Sequence, residues 1–254
     1  MRLPLLAALL VSASTLPAVA QSATSSYDAI LTFGAGARFQ PEFDGSKNYV
    51  LSPFPIVGLK FLRSPFTGEP TSDTGFGVRP AVRVLQKRDF KAGDPLFGLA
   101  KVDTAVELGV EVDYTDTWFR VFAEARQGFG GHRGQILDLG ADGIWRPTKQ
   151  LKVAVGPRLS FASAKYMDTY FGVSAADSVA TGLPTYRPGG GLRGAGLGGT
   201  VTWDVDANWF IRADAGWTRL SSKAADSPIV RTDGSRDQFS VGLGAAYRLG
   251  VDWY

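Results

Sequence analysis

The chain has 254 residues, no cysteine, one histidine, 31 glycines and a formal net charge of +3. That charge is too small and too scattered to argue for a nucleic-acid partner, and past the opening residues no apolar run approaches the roughly 20 residues of a membrane-spanning helix, so a helical membrane protein is excluded. Without disulfides, a closed barrel with every backbone group paired is one way to supply stability.

The first segment carries Arg2, an apolar stretch from Leu3 to about Val11, and the small-residue site Ala18-Val19-Ala20 before Gln21. This is the layout of a cleaved secretory signal. Residues 1–20 are therefore read as the leader and 21–254 as a single barrel domain. Period-2 alternation then recurs along the chain, the mark of strands with two unlike faces. Leu31, Phe33, Ala35 and Phe39 oppose Thr32, Gly34, Gly36 and Arg38. Residues 50–61 form a weaker strand, because Pro53 and Pro55 cannot donate to a ladder. Val78, Val82 and Val84 oppose Arg79 and Arg83, and Val106, Leu108, Val110, Val112 and Tyr114 oppose Glu107, Gly109, Glu111 and Asp113. The segment 118–129 sets Phe119, Val121, Ala123 and Ala125 against Arg120, Phe122, Glu124 and Arg126. Leu137, Leu139, Ala141 and Trp145 face away from Asp138, Gly140 and Asp142, as Leu151, Val153, Val155 and Leu159 do from Lys152, Arg158 and Ser160. Leu197, Val201 and Trp203 oppose Thr200 and Thr202; Trp209, Ile211, Ala213, Ala215 and Trp217 oppose Arg212 and Asp214; a last strand runs from Phe239 to Trp253.

The expected fold is all-β: a transmembrane antiparallel up-and-down β-barrel of about ten strands, with two more left open by the long connection near 63–75. The charges decide the orientation of the faces. They share the face of the glycines, serines and threonines, and only Arg219, close to a loop, sits on the oily one. A charge facing lipid at mid-depth costs about 2 to 4 kcal/mol, so the oily face is expected outside. Short connections near 115–117, 146–150 and 204–208 are placed on the periplasmic side, with long ones near 86–102, 162–190 and 221–236 outside. Tyr114, Trp145, Trp203 and Trp209 then lie at the periplasmic edge, where an aromatic girdle belongs.

The candidate site is a lumen charge network of Arg83, Glu107, Glu111, Arg120, Glu124, Arg126, Asp138, Asp142, Arg212 and Asp214. Mixed signs on adjacent strands either line a small-solute path or satisfy one another and fill the bore. Eight strands are just filled by side chains, so ten leave little room, which favours filling. The run Gly194-Ala195-Gly196-Leu197-Gly198-Gly199 has dinucleotide-loop spacing but continues as a strand, so lumen-facing glycines explain it better. His132, in Gly130-Gly131-His132-Arg133-Gly134, is the sole imidazole for a hydrolase or a histidine metal site. No serine motif accompanies it, and a solvated residue in a tight external turn is the expected reading. No catalytic residue, cofactor or metal site is assigned, and the chain is read as a non-enzyme.

Several stretches resemble the MipA/OmpV family: Gly34 to Ser46 (GAGARFQPEFDGS), Met167 to Ser174 (MDTYFGVS), Gly182-Leu183-Pro184, Gly189 to Leu192 (GGGL), Ala224 to Val230 (AADSPIV) and Gly242 to Arg248 (GLGAAYR). The family commonly stops soon after the tyrosine-arginine pair with an aromatic, whereas this chain continues to Trp253 and Tyr254. The resemblance implies a monomeric cell outer-membrane protein in contact with lipid. It further implies a scaffold that binds a murein lytic transglycosylase and a murein synthase, with a small-solute pore or a surface adhesin as the alternative.

Overall fold

The computed structural model describes residues 27–61 and 74–252; the expected leader, most of the connection near 63–75 where two more strands are left open, and the end of the last strand at Trp253 lie outside them. Ten strands run through the described residues: β1 (Ala29–Pro41), β2 (Tyr49–Phe61), β3 (Gly75–Leu85), β4 (Ala105–Thr115), β5 (Phe119–Gly130), β6 (Gln135–Trp145), β7 (Leu151–Ala162), β8 (Gly191–Asp204), β9 (Trp209–Leu220) and β10 (Asp237–Val251). They pair antiparallel in the order β2-β1-β10-β9-β8-β7-β6-β5-β4-β3, and β2 touches β3. The sheet thus curls into a nearly closed up-and-down barrel.

β4 shows which way the barrel faces. Leu108 and Val110 are 48% and 49% exposed, whereas Glu107 is 0% and Asp113 5% exposed. In water that arrangement would bury charge and expose oil; in lipid it does the reverse of harm, because the apolar ring meets hydrocarbon and the charges meet one another. The same alternation recurs in β1, where Leu31, Phe33 and Phe39 are exposed. Among the described residues no helix is long and apolar enough to cross a membrane.

The prolines of β2 are accommodated by geometry. Two residues apart, Pro53 and Pro55 direct both missing donors to one edge. The β1–β2 ladder runs unbroken from Ala29↔Phe61 to Pro41↔Tyr49, so that edge is the one toward β3.

Connections 116–118, 146–150 and 205–208 are short and lie at one end; 86–104, 163–190 and 221–236 are long and lie at the other. Aromatic side chains rim the short-turn end, with Phe76 against Tyr114 and Trp209 against Tyr247, each pair 5.2 Å between ring centroids. At the long-loop end Phe39 stacks on Tyr49 at 5.0 Å. Arg219, exposed near this rim, pairs with Asp237 at 3.4 Å.

The long connections are more ordered than the sequence reading supposes. They carry α1 (Ala164–Phe171), α2 (Ala175–Thr181), α3 (Ser222–Ala225) and α4 (Pro228–Asp233). α1 presents Tyr166, Met167, Tyr170 and Phe171 on one face, all buried, as side chains spaced i, i+4 on a helix must align. α2 begins with a reciprocal capping box between Ser174 and Asp177. Ser227 caps α4 through the Ile229 amide and donates to the Phe171 carbonyl at 2.6 Å, which ties α4 to the end of α1. Leu85, Ala105, Ile136 and Leu220 at the strand ends pack under these helices, and Phe43, Leu96, Leu99, Val173 and Ile229 form a second apolar cluster. The long-loop end of the barrel is a folded cap.

Candidate functional site: the charged lumen and its cap

The lumen charges form two tiers. In the tier nearer the short turns, Arg120 of β5 reaches Glu111 at 2.6 Å, Asp113 at 3.4 Å and Asp142 at 3.8 Å. Arg79 of β3 holds Glu111 at 3.0 Å and Asp113 at 2.7 Å, and Arg158 of β7 holds Asp142 at 2.6 Å. The positions follow from ladder register: Arg79 lies directly opposite Glu111, and Arg120 opposite Asp142. Arg120 and Arg158 also flank the Phe122 ring, 4.5 and 5.0 Å from its centroid. The glycine-rich face of β8 makes room for this: a Cβ on Gly198 would stand 2.9 Å from the Arg158 Nε.

In the tier under the cap, Arg126 reaches Glu107 at 2.8 Å, Asp138 at 2.5 Å and, on its own strand, Glu124. Glu107 and Arg126 are both buried. Beside them stands Asp44 of the β1–β2 loop, which accepts from the Tyr166 hydroxyl and from Arg193, each at 2.6 Å, with Arg83 3.9 Å away. Burial opposes ionisation of Asp44, but Arg193, Arg83 and the Tyr166 hydroxyl outweigh it and hold its carboxyl at about 2. Burial, then the negative charge of Asp44, pushes the Tyr166 hydroxyl well above its ordinary value. Arg193 reaches inward because of a β-bulge: Ser160 pairs with Gly194 and Phe161 with Leu192, which leaves Arg193 as the extra residue.

The cap is stitched to the barrel by polar contacts as well. Arg88 donates to the Tyr170 carbonyl at 3.0 Å, at the C-terminal end of α1 where a cation is favoured. Its burial lowers its affinity for a proton to about 10. Gly45 sits at φ 95°, and a Cβ there would meet Val230 at 2.7 Å. Its amide donates to Gln238, and its carbonyl accepts from Ser235 at 2.8 Å.

His132 departs from expectation. It is 2% exposed, not solvated. The Gly134 amide donates to its Nδ1 at 3.2 Å, its ring packs edge-on against Tyr166 and Tyr170, and its Nε2 lies 3.2 Å from Glu107 Oε1 without an aligned hydrogen bond. The physical reason is the cap: α1 descends over the β5–β6 turn and excludes water from it.

Of the ten candidate residues, the structure joins Glu107, Glu111, Arg120, Glu124, Arg126, Asp138 and Asp142 through Arg120 and Arg126. Arg83 instead faces the loop residue Asp44, and Asp214 is taken by Arg38 at 3.0 Å. Arg212 has no ion-pair partner among the described residues. The sequence reading missed Asp44 and Arg193 as members; the first sits in a loop and the second is re-aimed by a bulge, and neither signal belongs to strand periodicity.

A wall of strands with an apolar lipid face, aromatic rims, a charge-filled lumen and the three folded connections 86–104, 163–190 and 221–236 at one end defines an outer-membrane β-barrel protein. Residues 33–249 match the family of MltA-interacting protein MipA, and the chain belongs to it. It is similar to outer membrane protein OmpV of Vibrio cholerae, 35% identical over 235 residues that cover 88% of this chain and 79% of that one. It is also similar to outer membrane protein Omp26La of Vibrio anguillarum, 26% identical over 170 residues and covering 63% and 61% of the two chains. A 24 kDa outer membrane protein of Pasteurella multocida is 24% identical over 185 residues, 71% of this chain and 65% of that one. The match thus spans a little under two thirds of the length of these last two relatives.

Proposed function

We propose that this protein is a monomeric, non-enzymatic envelope scaffold: a closed barrel whose short periplasmic turns engage a murein lytic transglycosylase and, through it, a murein synthase. The observation that carries the reading is the cap. Tyr166, Tyr170 and Phe171 are fully buried over the tier built on Arg126 and Asp44, so the end that faces outward is shut by packed apolar side chains above paired charges. A shut barrel has its surfaces to work with rather than its bore. The family takes its name from an interaction with MltA, which fits a partner on the periplasmic side. Trp118 in the 116–118 turn and Val205 in the 205–208 turn are exposed there.

Capture of a purified lytic transglycosylase by the folded protein tests this. Retention is expected, with loss on Trp118→Ala or Val205→Asp and none on Lys87→Ala in the cap. No retention, or retention indifferent to the turns and lost with the cap, overturns the scaffold reading. The rival reading, a small-solute pore, requires the cap to leave the mouth.

A further inference from the structure

In the tier nearer the short turns every inward carboxylate is already held. Glu111 and Asp113 are taken by Arg79 and Arg120, Asp142 by Arg158, Asp214 by Arg38 and Asp204 by Arg248. Two inward cations are left over: Lys152 of β7 and Arg212 of β9 have no ion-pair partner among the described residues, and the Arg212 Nε is buried with no hydrogen-bond partner. They are not scattered. Lys152 lies directly opposite Thr202 of β8, and Thr202 directly opposite Arg212, so the three form one row across adjacent strands on the inner face.

Two interstrand spacings place the Lys152 and Arg212 backbones roughly 10 Å apart, with a hydroxyl between them. Long side chains bridge that distance around a small group. The strongest charge effects on Lys152 come from Arg146, Arg79, Arg120 and Arg212, all of its own sign; near Arg212 stand Asp214, already bound to Arg38, and the cations Arg38, Arg120 and Arg79. Lys152 is exposed one residue inside the start of β7, next to the 146–150 turn, so the row is reached from the periplasmic mouth.

We infer that Lys152, Thr202 and Arg212 form a binding site for an oxyanion, a carboxylate or a phosphate group, entering the barrel from the periplasmic side. The ammonium and guanidinium supply the charge the lumen's own carboxylates leave uncompensated, and Thr202 Oγ1 supplies a third donor in the same row. Arg212 fits the role through its planar fork of donors, which matches a carboxylate or phosphate edge. This site is independent of the scaffold reading, since it concerns what the inner wall holds and not what the turns dock.

The chain has no cysteine, so Thr202→Cys introduces a single thiol into the middle of the row. In the folded variant, the ratio of labelling rates at position 202, negatively charged over positively charged thiosulfonate, is expected to be about tenfold higher than for a free thiol in solution, because a cleft lined by one sign concentrates the opposite one. Lys152→Gln with Arg212→Gln should return that ratio to the free-thiol value; Lys152→Gln alone, at an exposed position, should lower it partway and guards against misfolding of the double variant. Inorganic phosphate or glutarate should slow labelling by an uncharged thiosulfonate only while both cations are present, and the stronger protector identifies phosphate or carboxylate as the group bound. A ratio equal to that of the free thiol, a ratio unmoved by removing the cations, or no protection by either anion overturns the assignment.

Discussion

Arg126 Nε donates to Glu107 Oε2 at 2.8 Å across the β4–β5 ladder, and neither side chain is open to solvent. The same guanidinium holds half-buried Asp138, so its loss leaves buried Glu107 and Asp138 without their directly paired cation. Breaking such a group by removing one member typically costs about 3 to 5 kcal/mol. Arg126→Met should therefore lower the unfolding midpoint of the barrel in denaturant markedly, whereas Arg231→Met, which breaks the exposed pair with Asp226, should leave it nearly unchanged.

Val110 faces lipid at about half exposure on β4. Val110→Arg is expected to disfavour folding into vesicles by about 2 to 4 kcal/mol near mid-depth, while Val110→Leu should be close to neutral. Its neighbour Gly109 gives no mild control despite facing the lumen, because a Cβ there would stand 1.9 Å from the Ala125 carbonyl oxygen. Equal refolding of the arginine and leucine variants would place β4 the other way round.

Asp44 gives the cap a pH dependence. Its folded value of about 2 lies below the ordinary 3.8, so the stability it contributes is fully present above about pH 4 and is lost as pH falls through about 2, amounting to roughly 2 kcal/mol. Asp44→Asn should abolish the part of the acid-induced loosening of the cap that lies in that window, measured by proteolytic susceptibility of the 163–190 connection, and should weaken the cap at neutral pH.

His132 is held as a packing residue against Tyr166 and Tyr170. His132→Ala is expected to lower stability by about 1 to 3 kcal/mol and to change no hydrolytic activity. An esterase or deacylase activity of purified folded protein that vanished with this substitution would contradict the non-enzymatic reading.

The wall of the barrel was legible in the sequence because lipid and lumen impose opposite demands on alternate residues, as in Val106 to Tyr114. Cross-strand pairs such as Arg120 with Asp142 could be expected once the faces were known. What escaped was everything that breaks the period of two. Arg193 turns inward at a bulge, Asp44 enters from a loop, and His132 is buried only because α1 folds over it. Helix α1 carried its own signal, apolar Tyr166, Met167, Tyr170 and Phe171 at helical spacing, which a strand-by-strand reading passes over. Pro53 and Pro55 argue against β2 by composition alone, but their shared parity confines the missing donors to one edge.

The central claim is that the cap and the tier beneath it close the barrel, and the conductance of single molecules in a planar bilayer tests it most directly. Wild-type protein is expected to pass almost no current, and Asp44→Asn combined with Arg193→Ala, which removes the charged link between Tyr166 of the cap and Arg193 of the wall, is expected to raise it. A wild-type protein that conducts as an open pore, with conductance unaltered by the double substitution, would contradict the account.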